Sequence, residues 1–189
     1  MLWQELRGVY LMEIDSAPKT VYSSIQKTRT FYPTTNDRVV LLSQLSKNIE
    51  EACAKARYYE LVPKKVSFFL KDKNFKYYNC FVTLTSPTNA PEIIIPLAEM
   101  KFGEMHRRGI LYRTTGVVLE CLTPRTVSQA DLFGGSDRVN KFETVHKQLD
   151  FLEEKFGKRM VYLASTHNAI KHKSKGTDSD DWDRDLLFL

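Results

Sequence analysis

The 189-residue chain has few cysteines, little glycine and no long apolar run, and each scarcity excludes a class of protein. Its three cysteines are far apart and form no C-x-x-C pair, so zinc and thioredoxin chemistry have no support. No Gly-rich phosphate loop is present. No run approaches the roughly 20 apolar residues of a membrane span, and the first residues lack the pattern of a signal peptide. We therefore expect a cytoplasmic protein with reduced cysteines.

Catalytic motifs are also missing from the sequence. The four histidines are scattered without an H-E-x-x-H pair, and no serine has the spacing of a nucleophile elbow. Five aspartates between Asp178 and Asp185 are dense, but they fit no EF-hand loop, which needs a glycine at its turn and a final glutamate. We therefore predict no catalytic residue, no metal site and no cofactor in this chain.

Positive charge is concentrated in the first part of the chain. Residues 20–123 contain 15 Lys or Arg and 9 Asp or Glu, a net charge of +6, whereas residues 124–189 contain 11 of each, a net charge of zero. A localised basic excess suits a polyanionic partner, of which nucleic acid is the commonest.

Alternation and helical periodicity predict the element order β-α-β-β-α-β. The predicted strands cover residues 21–32, 62–70, 77–85 and 110–122, and the helices lie near residues 37–56 and 89–109. Pro33 should end the first strand, and Pro96 should kink the second helix or move its start. Gly116 marks a bulge or a close approach of another backbone. The fold class is α+β, a four-stranded antiparallel sheet with both helices on one face and the other face open.

The C-terminal third has a different composition. Apolar residues from Phe142 to Phe156 recur at spacings of three and four, which predicts a helix that Gly157 ends. Residues 160–164 are a short strand candidate. The charged residues from Lys171 onward have few apolar neighbours, and we expect this tail to be disordered.

Cations and hydroxyl groups alternate on the predicted sheet, as phosphate binding requires. Backbone amides, hydroxyls and guanidinium groups on an open sheet are suitable donors to phosphate oxygens. The predicted DNA-binding residues are Lys27, Arg29, Thr30, Lys71, Lys73 and Arg113.

The segment from Gln129 to Phe133, Q-A-D-L-F, follows the last predicted strand in a stretch rich in Thr, Ser and Gly. Leu132 and Phe133 are adjacent apolar side chains that could enter a partner's pocket, while the Gln129 amide binds the pocket's rim. The pattern closely resembles the peptide by which bacterial DNA polymerases and repair proteins hold the ring-shaped sliding clamp.

Four motifs in the same order resemble those of Y-family translesion DNA polymerases. Residues 2–8, L-W-Q-E-L-R-G, are similar to the end of the family's thumb region. Residues 24–31, S-I-Q-K-T-R-T-F, resemble the strand that opens its little-finger domain, and residues 112–117, Y-R-T-T-G-V, resemble the strand that closes it. The clamp-binding peptide follows. Beyond Asp137 the chain is most similar to the DNA polymerase V type (UmuC) of the family, rather than to the shorter polymerase IV.

The resemblance implies a domain plan. The plan is the end of the thumb and a linker (1–19), the little finger (20–123), the clamp-binding loop (124–136), a C-terminal helix and short strand (137–170) and a disordered tail (171–189). Trp3 and Leu6 in the first, short helix have nothing upstream to pack against, so we expect the chain to begin inside a larger protein.

The resemblance also implies partners and roles. The little finger contacts the backbone of duplex DNA beside a lesion, and the Q-x-x-L-F peptide binds the bacterial sliding clamp in translesion synthesis, DNA repair and the SOS response. Lys27, Arg29, Thr30 and Arg113 match the family's DNA contacts by position. The palm, which holds the Mg²⁺ ligands, is missing, so this chain should not polymerise DNA. Thr28 replaces the family's serine, and Ala130 replaces the usual leucine of the clamp peptide.

Two alternatives remain from the sequence. A stand-alone nucleic-acid-binding module is one, since an RNA-recognition domain shares the β-α-β-β-α-β order, although residues 77–84 lack its aromatic signature. A non-catalytic protein that only occupies the clamp is the other. A preference for single-stranded RNA would favour the first, and the gene's upstream sequence would identify the second.

Overall fold

Four strands and two long helices form the centre of the fold. The computed structural model describes residues 2–11, 22–125, 135–157 and 161–171. The strands are β1 (Ser24–Thr35), β2 (Leu61–Asp72), β3 (Tyr77–Thr83) and β4 (Tyr112–Pro124). The helices are α1 (Leu2–Glu5), α2 (Arg38–Tyr58), α3 (Pro91–Met105), α4 (Gly135–Phe156) and α5 (His167–Lys171). None of the helices in the described ranges has the length and apolarity that crossing a membrane requires.

The strands form one antiparallel sheet in the order β1-β4-β2-β3. Both α2 and α3 pack on one side of it. The predicted α+β fold with a four-stranded antiparallel sheet is confirmed. The first and last strands, β1 and β4, are neighbours in the sheet. The helix–hairpin–helix unit from α2 to α3 connects them in sequence.

Helix α2 supplies most of the helical side of the core. It begins where the Asp37 carboxylate accepts hydrogen bonds from the backbone N–H groups of Val39 and Val40, at 2.8 and 3.3 Å. Leu41, Leu45 and Ile49 then recur on one face and are fully buried against the sheet. The predicted amphipathic helix is therefore confirmed.

The later helix start that Pro96 predicted is wrong, because helix α3 begins at Pro91. It continues through Pro96, which lies exposed within it. A proline at this position removes one helical hydrogen bond. The buried face of the same helix offsets that loss, since Ile94, Ala98 and Phe102 pack in the core.

Strand β1 extends to Thr35, so the prediction that Pro33 ends it was wrong. The register of β1 with β4 shifts between Thr30 and Thr35, and Pro33 lies within this irregular part. Because β1 is an edge strand and pairs with β4 alone, a residue without an N–H is tolerated there.

The C-terminal segment packs on the outer surface of the helices. The Arg57 guanidinium of α2 donates to both carboxylate oxygens of Asp150 of α4, each at 2.8 Å. His146 Nε2 lies 2.9 Å from both carboxylate oxygens of Glu92 of α3. Gly157 follows the predicted helix end with a φ of +90°. Asp150 and His146 of α4 therefore contact α2 and α3.

The short strand predicted at residues 160–164 is absent where the structure describes this segment. Residues 161–163 have no regular structure, and Ala164–Thr166 form a 3₁₀ helix before α5. The Leu163 N–H donates to the Glu50 carboxylate and the Ala169 N–H donates to the Ser43 hydroxyl. Two side chains of α2 therefore accept hydrogen bonds from backbone N–H groups of this segment.

Candidate nucleic-acid interface

The side of the sheet opposite α2 and α3 carries the candidate interface, and we call it the open face. Alternation along each strand determines its members, since neighbouring side chains point to opposite sides. Ile25 and Leu119 lie on the helical side, whereas Gln26 and Thr28 are exposed on the open face. The remaining exposed members on the two edge strands are Ser24, Thr30, Tyr77, Asn79, Phe81 and Thr83.

Hydroxyl groups cluster where β1 meets β4. Thr30 pairs with Thr114, and their Oγ1 atoms lie 3.4 Å apart. Thr114 in turn pairs with Lys71 of β2, so one row across the sheet runs from Thr30 through Thr114 to Lys71. This row places two hydroxyls and one ammonium group side by side on the open face.

Arg113 joins this row because of a β-bulge. The register of β2 with β4 passes from the pair Lys71–Thr114 to the pair Asp72–Tyr112, which leaves Arg113 as the extra residue. Tyr112 is consequently buried in the core, while the guanidinium carbon of Arg113 lies 5.0 Å from the centre of the Phe75 ring. The bulge predicted at Gly116 therefore occurs three residues earlier.

Gly116 is instead a point of close approach, as the alternative prediction stated, although side chains and not another backbone approach it. A Cβ atom at this position would lie 2.7 Å from Phe69 Cε1 and 2.8 Å from Thr28 Cγ2. The absence of a side chain lets Phe69 lie across the open face from β2 toward β1. The centre of the sheet surface is therefore flat and apolar at this point.

The turn between β2 and β3 is ordered by Asp72. Its Oδ1 accepts hydrogen bonds from the N–H groups of Asn74 and Lys76, at 2.8 and 3.0 Å. Phe75 follows in a left-handed conformation, with a φ of +67°. Lys71 Nζ lies 4.7 Å from the Phe75 ring centre and 4.9 Å from that of Tyr77. The turn thus folds an aromatic ring against the cations at this end of the open face.

A neutralised patch lies at the opposite end of β2. Lys65 Nζ lies 2.9 Å from Glu120 Oε2, and the Ser67 hydroxyl also donates to Glu120. These two hydrogen bonds, Ser67 first, lower the pKa of the Glu120 carboxyl. Because its charge is compensated within the protein, Lys65 is a weaker candidate for phosphate binding than Lys71.

The structure separates the predicted DNA-binding residues into two sets. Thr30, Lys71 and Arg113 lie together on the open face, and Lys73 is exposed in the adjoining turn. Lys27 and Arg29 alternate with Thr28 and Thr30, so they point to the helical side of the edge strand with Ile25 and Phe31. Both are half-buried there.

Gln129, Leu132 and Phe133 lie outside the described residues, as does the tail from residue 172. Among the residues that the structure does describe, no group of three His, Cys, Asp or Glu side chains could hold a metal ion.

Sequence reasoning missed the aromatic residues of the open face. Phe75, Tyr77 and Phe81 are more than half exposed. The signal was available, because Tyr77, Asn79, Phe81 and Thr83 alternate with residues that pack on the core, Tyr78, Cys80 and Val82. Aromatic rings at the solvent-facing positions of an alternating strand indicate a surface function rather than core packing.

Solved structures of similar proteins are DNA polymerases or parts of them. One is a Y-family DNA polymerase chimera, 18% identical with a TM-score of 0.45, where the match covers 65% of this chain and 34% of that one. Another is DinB from Sulfolobus solfataricus, at 19% identity and a TM-score of 0.42, with coverage of 51% and 28%. A third is the little finger domain of PolIV in complex with the beta-clamp processivity factor, at 18% identity and a TM-score of 0.41, with coverage of 58% and 98%.

The chain thus spans about a third of the length of the chimera. No curated protein matches it. The model of the impB/mucB/samB family C-terminal domain matches residues 22–132, which is more than half of the chain and contains the whole sheet with α2 and α3. The chain therefore belongs to the impB/mucB/samB family, and its sheet with α2 and α3 lies in that family's C-terminal domain.

Proposed function

We propose that this chain is the part of a Y-family DNA polymerase that binds duplex DNA and the sliding clamp during lesion bypass and DNA repair. One observation carries the DNA-binding part: Thr30, Thr114 and Lys71 form a row on the open face, with Arg113 beside it. Hydroxyl, ammonium and guanidinium groups are the donors that phosphate oxygens accept from. Within the described residues, neither Lys71 nor Arg113 forms a salt bridge, so both charges remain available to a phosphate.

Lys73, Lys27 and Arg29 are secondary contacts in this proposal. Lys73 extends the positive end of the open face from the β2–β3 turn. Lys27 and Arg29 lie on the outer edge strand, so long side chains there can reach a backbone that passes the sheet's margin. We assign the larger share of the affinity to Lys71 and Arg113, because they lie on the open face itself.

The salt dependence of binding tests this assignment. Each phosphate contact releases counterions, so the log of the affinity falls with the log of the salt concentration by about 0.9 per contact. The double variant Lys71→Ala/Arg113→Ala should lower the magnitude of this slope by about 2. Fluorescence anisotropy with a labelled blunt duplex at several salt concentrations measures the slope.

Lys101→Ala is the matched control, because Lys101 is a cation of α3 on the helical side, where it pairs with Glu104. It should leave the slope unchanged. Lys27→Ala/Arg29→Ala should lower the slope by less than the first double variant. A wild-type slope for Lys71→Ala/Arg113→Ala would show that DNA does not lie on the open face.

The clamp-binding part of the proposal is carried by the sequence. The Q-x-x-L-F peptide follows the closing strand of the little finger, where the family resemblance expects it. Gln129 would bond the rim of the clamp's pocket, and Leu132 and Phe133 would enter it. Burying each apolar side chain could contribute about 1.5–3 kcal/mol, part of which is offset by ordering the peptide. The matched domain is not the catalytic palm, so we assign the chain no polymerase activity of its own.

A further inference from the structure

Phosphate binding leaves the aromatic residues of the open face unexplained. Phe75, Tyr77 and Phe81 are exposed by 57%, 55% and 62%, and we call these three residues the aromatic strip. Phe69 lies beneath it, with its ring centre 5.6 Å from that of Tyr77. Phosphate oxygens need hydrogen-bond donors and gain nothing from phenyl rings, so the strip suits a different part of a ligand.

Each ring of the aromatic strip has a cation beside it. Lys71 Nζ lies within 5 Å of the ring centres of both Phe75 and Tyr77, Arg113 contacts Phe75, and Lys65 Nζ lies 4.9 Å from the Phe81 ring centre. These contacts are cation–π interactions, which also fix the rings in place. The surface therefore combines exposed aromatic rings with positive charge at the end of the sheet that holds Lys71 and Arg113, whereas Glu120 compensates the charge of Lys65.

Rings interleaved with cations are the physical requirement for holding single-stranded nucleic acid. Bases stack on the rings while the backbone lies near the charges. Duplex bases are already stacked on one another and cannot offer their faces. Tyr77 and Phe81 are four residues apart on β3, roughly 13 Å at about 3.3 Å per residue, so each can hold its own base.

We propose that the aromatic strip binds unpaired bases of a single DNA strand, next to the duplex held by Thr30, Lys71 and Arg113. The inference rests on the proposed function, since it places both parts of one DNA molecule on the open face. It adds a subsite to that function: the rings of Tyr77 and Phe81 hold the bases of the unpaired strand.

Three probes of matched sequence isolate the contribution of the bases. The first is a blunt duplex, the second carries a single-stranded DNA overhang, and the third carries an overhang of abasic sugar phosphates. The second and third have the same charge and differ only in their bases. The full chain should bind the base-containing overhang about fivefold or more tightly than the abasic overhang.

The double variant Tyr77→Leu/Phe81→Leu removes two rings and keeps apolar side chains of similar length on β3. It should bind the two overhang probes equally and the blunt duplex as the wild type does. Tyr77→Phe retains the ring and should retain the preference. Tyr58→Ala is the control, since Tyr58 is an even more exposed aromatic residue at the end of α2, outside the open face.

The outcomes separate this inference from the proposed function. If the wild-type chain fails to bind the blunt duplex, the proposed function is wrong. If it binds the blunt duplex but shows no preference for bases over abasic sugars, the inference alone is overturned. Tighter binding of an RNA overhang of the same sequence would also overturn it, as would a preference for bases that persists in Tyr77→Leu/Phe81→Leu.

Discussion

Gly116 is the residue that allows Phe69 and Thr28 to meet on the open face. Gly116 pairs in regular register with both neighbouring strands. A glycine is required there because the side chains of Phe69 and Thr28 occupy the space that a Cβ atom would fill. Phe69 in turn lies against Tyr77. A side chain at position 116 would therefore displace Thr28 and Phe69, and through Phe69 it would disturb Tyr77 of the aromatic strip.

Gly116→Ala should destabilise the domain by about 1–3 kcal/mol, because the new methyl group overlaps Phe69 and Thr28 and they must move. Chemical denaturation measures the change. Gly103→Ala provides the opposite control, since Gly103 lies exposed in α3 with nothing within 4 Å of a Cβ atom. That change should stabilise the domain by roughly 0.5–1 kcal/mol. Equal stability of Gly116→Ala and the wild type would show that the close approach imposes no constraint.

At the scale of elements, the docking of α4 depends on two charged contacts. The Arg57 side chain is almost inaccessible to solvent, and burial by itself lowers its pKa, but the hydrogen bonds that it donates to Asp150 outweigh burial and raise the pKa. Burial similarly raises the pKa of Glu92, and the hydrogen bond with His146 reverses this and lowers it. The charged forms of Arg57 and Glu92 are therefore favoured, and their contacts with Asp150 and His146 hold α4 against α2 and α3.

Asp150→Asn should release α4 without unfolding the sheet domain. The change leaves the buried Arg57 guanidinium without a carboxylate and should cost about 1–2 kcal/mol, since Asp150 itself is partly exposed. Hydrogen exchange should then accelerate in residues 135–157 and stay slow in α2 and the central strands. Glu154→Gln, an exposed change on the same helix, should have no effect. Exchange that accelerates equally in α4 and the sheet would contradict separate release.

Periodicity predicted the elements that pack on the core, because a buried face repeats along one segment. The spacing of apolar residues in α2 is a local signal of this kind, and β1 was predicted from its β-branched, aromatic and hydroxyl residues. The end of β1 and the structure of residues 161–166 were predicted wrongly, because Pro33 is tolerated only at an edge strand and Leu163 is held by Glu50 from a distant helix. Such long-range partners leave no local pattern.

The candidate site was predicted only in part, because its geometry also depends on long-range partners. The charges and hydroxyl groups in the sequence identified Lys71, Thr30 and Arg113 as candidate DNA contacts. The bulge that turns Arg113 toward the open face depends on the pairing of β4 with β2. The grouping of Phe75 with Lys71 and Arg113 likewise depends on how Asp72 shapes the turn.

At the scale of the whole molecule, the C-terminal segment contacts the helical side of the domain. Asp150 of α4 pairs with Arg57, and residues 161–171 pack against α2, whereas the proposed DNA contacts lie on the open face. The proposed clamp peptide lies in the connection between β4 and α4. Under the proposed function, DNA and clamp would therefore contact different parts of the chain at the same time.

Phe133→Ala should abolish binding to the bacterial sliding clamp and leave the affinity for duplex DNA nearly intact. The substitution removes one of the two apolar side chains that enter the pocket, whereas no charge or hydroxyl of the open face changes. Titration of wild type and variant against isolated clamp and against duplex measures the two affinities separately. Phe156→Ala, which truncates an exposed phenylalanine at the end of α4, is the control and should bind both partners normally.

The same variant tests whether the two weak contacts act together. On DNA that carries a loaded clamp, binding of one partner raises the effective concentration of the other, so the wild type should bind more tightly than to bare DNA or to free clamp. Phe133→Ala should lose this gain and bind the clamp-loaded DNA as it binds bare DNA. If Phe133→Ala and the wild type bind the isolated clamp equally, residues 129–133 are not the tether. If they differ on isolated clamp but not on clamp-loaded DNA, the geometry does not allow both contacts at once.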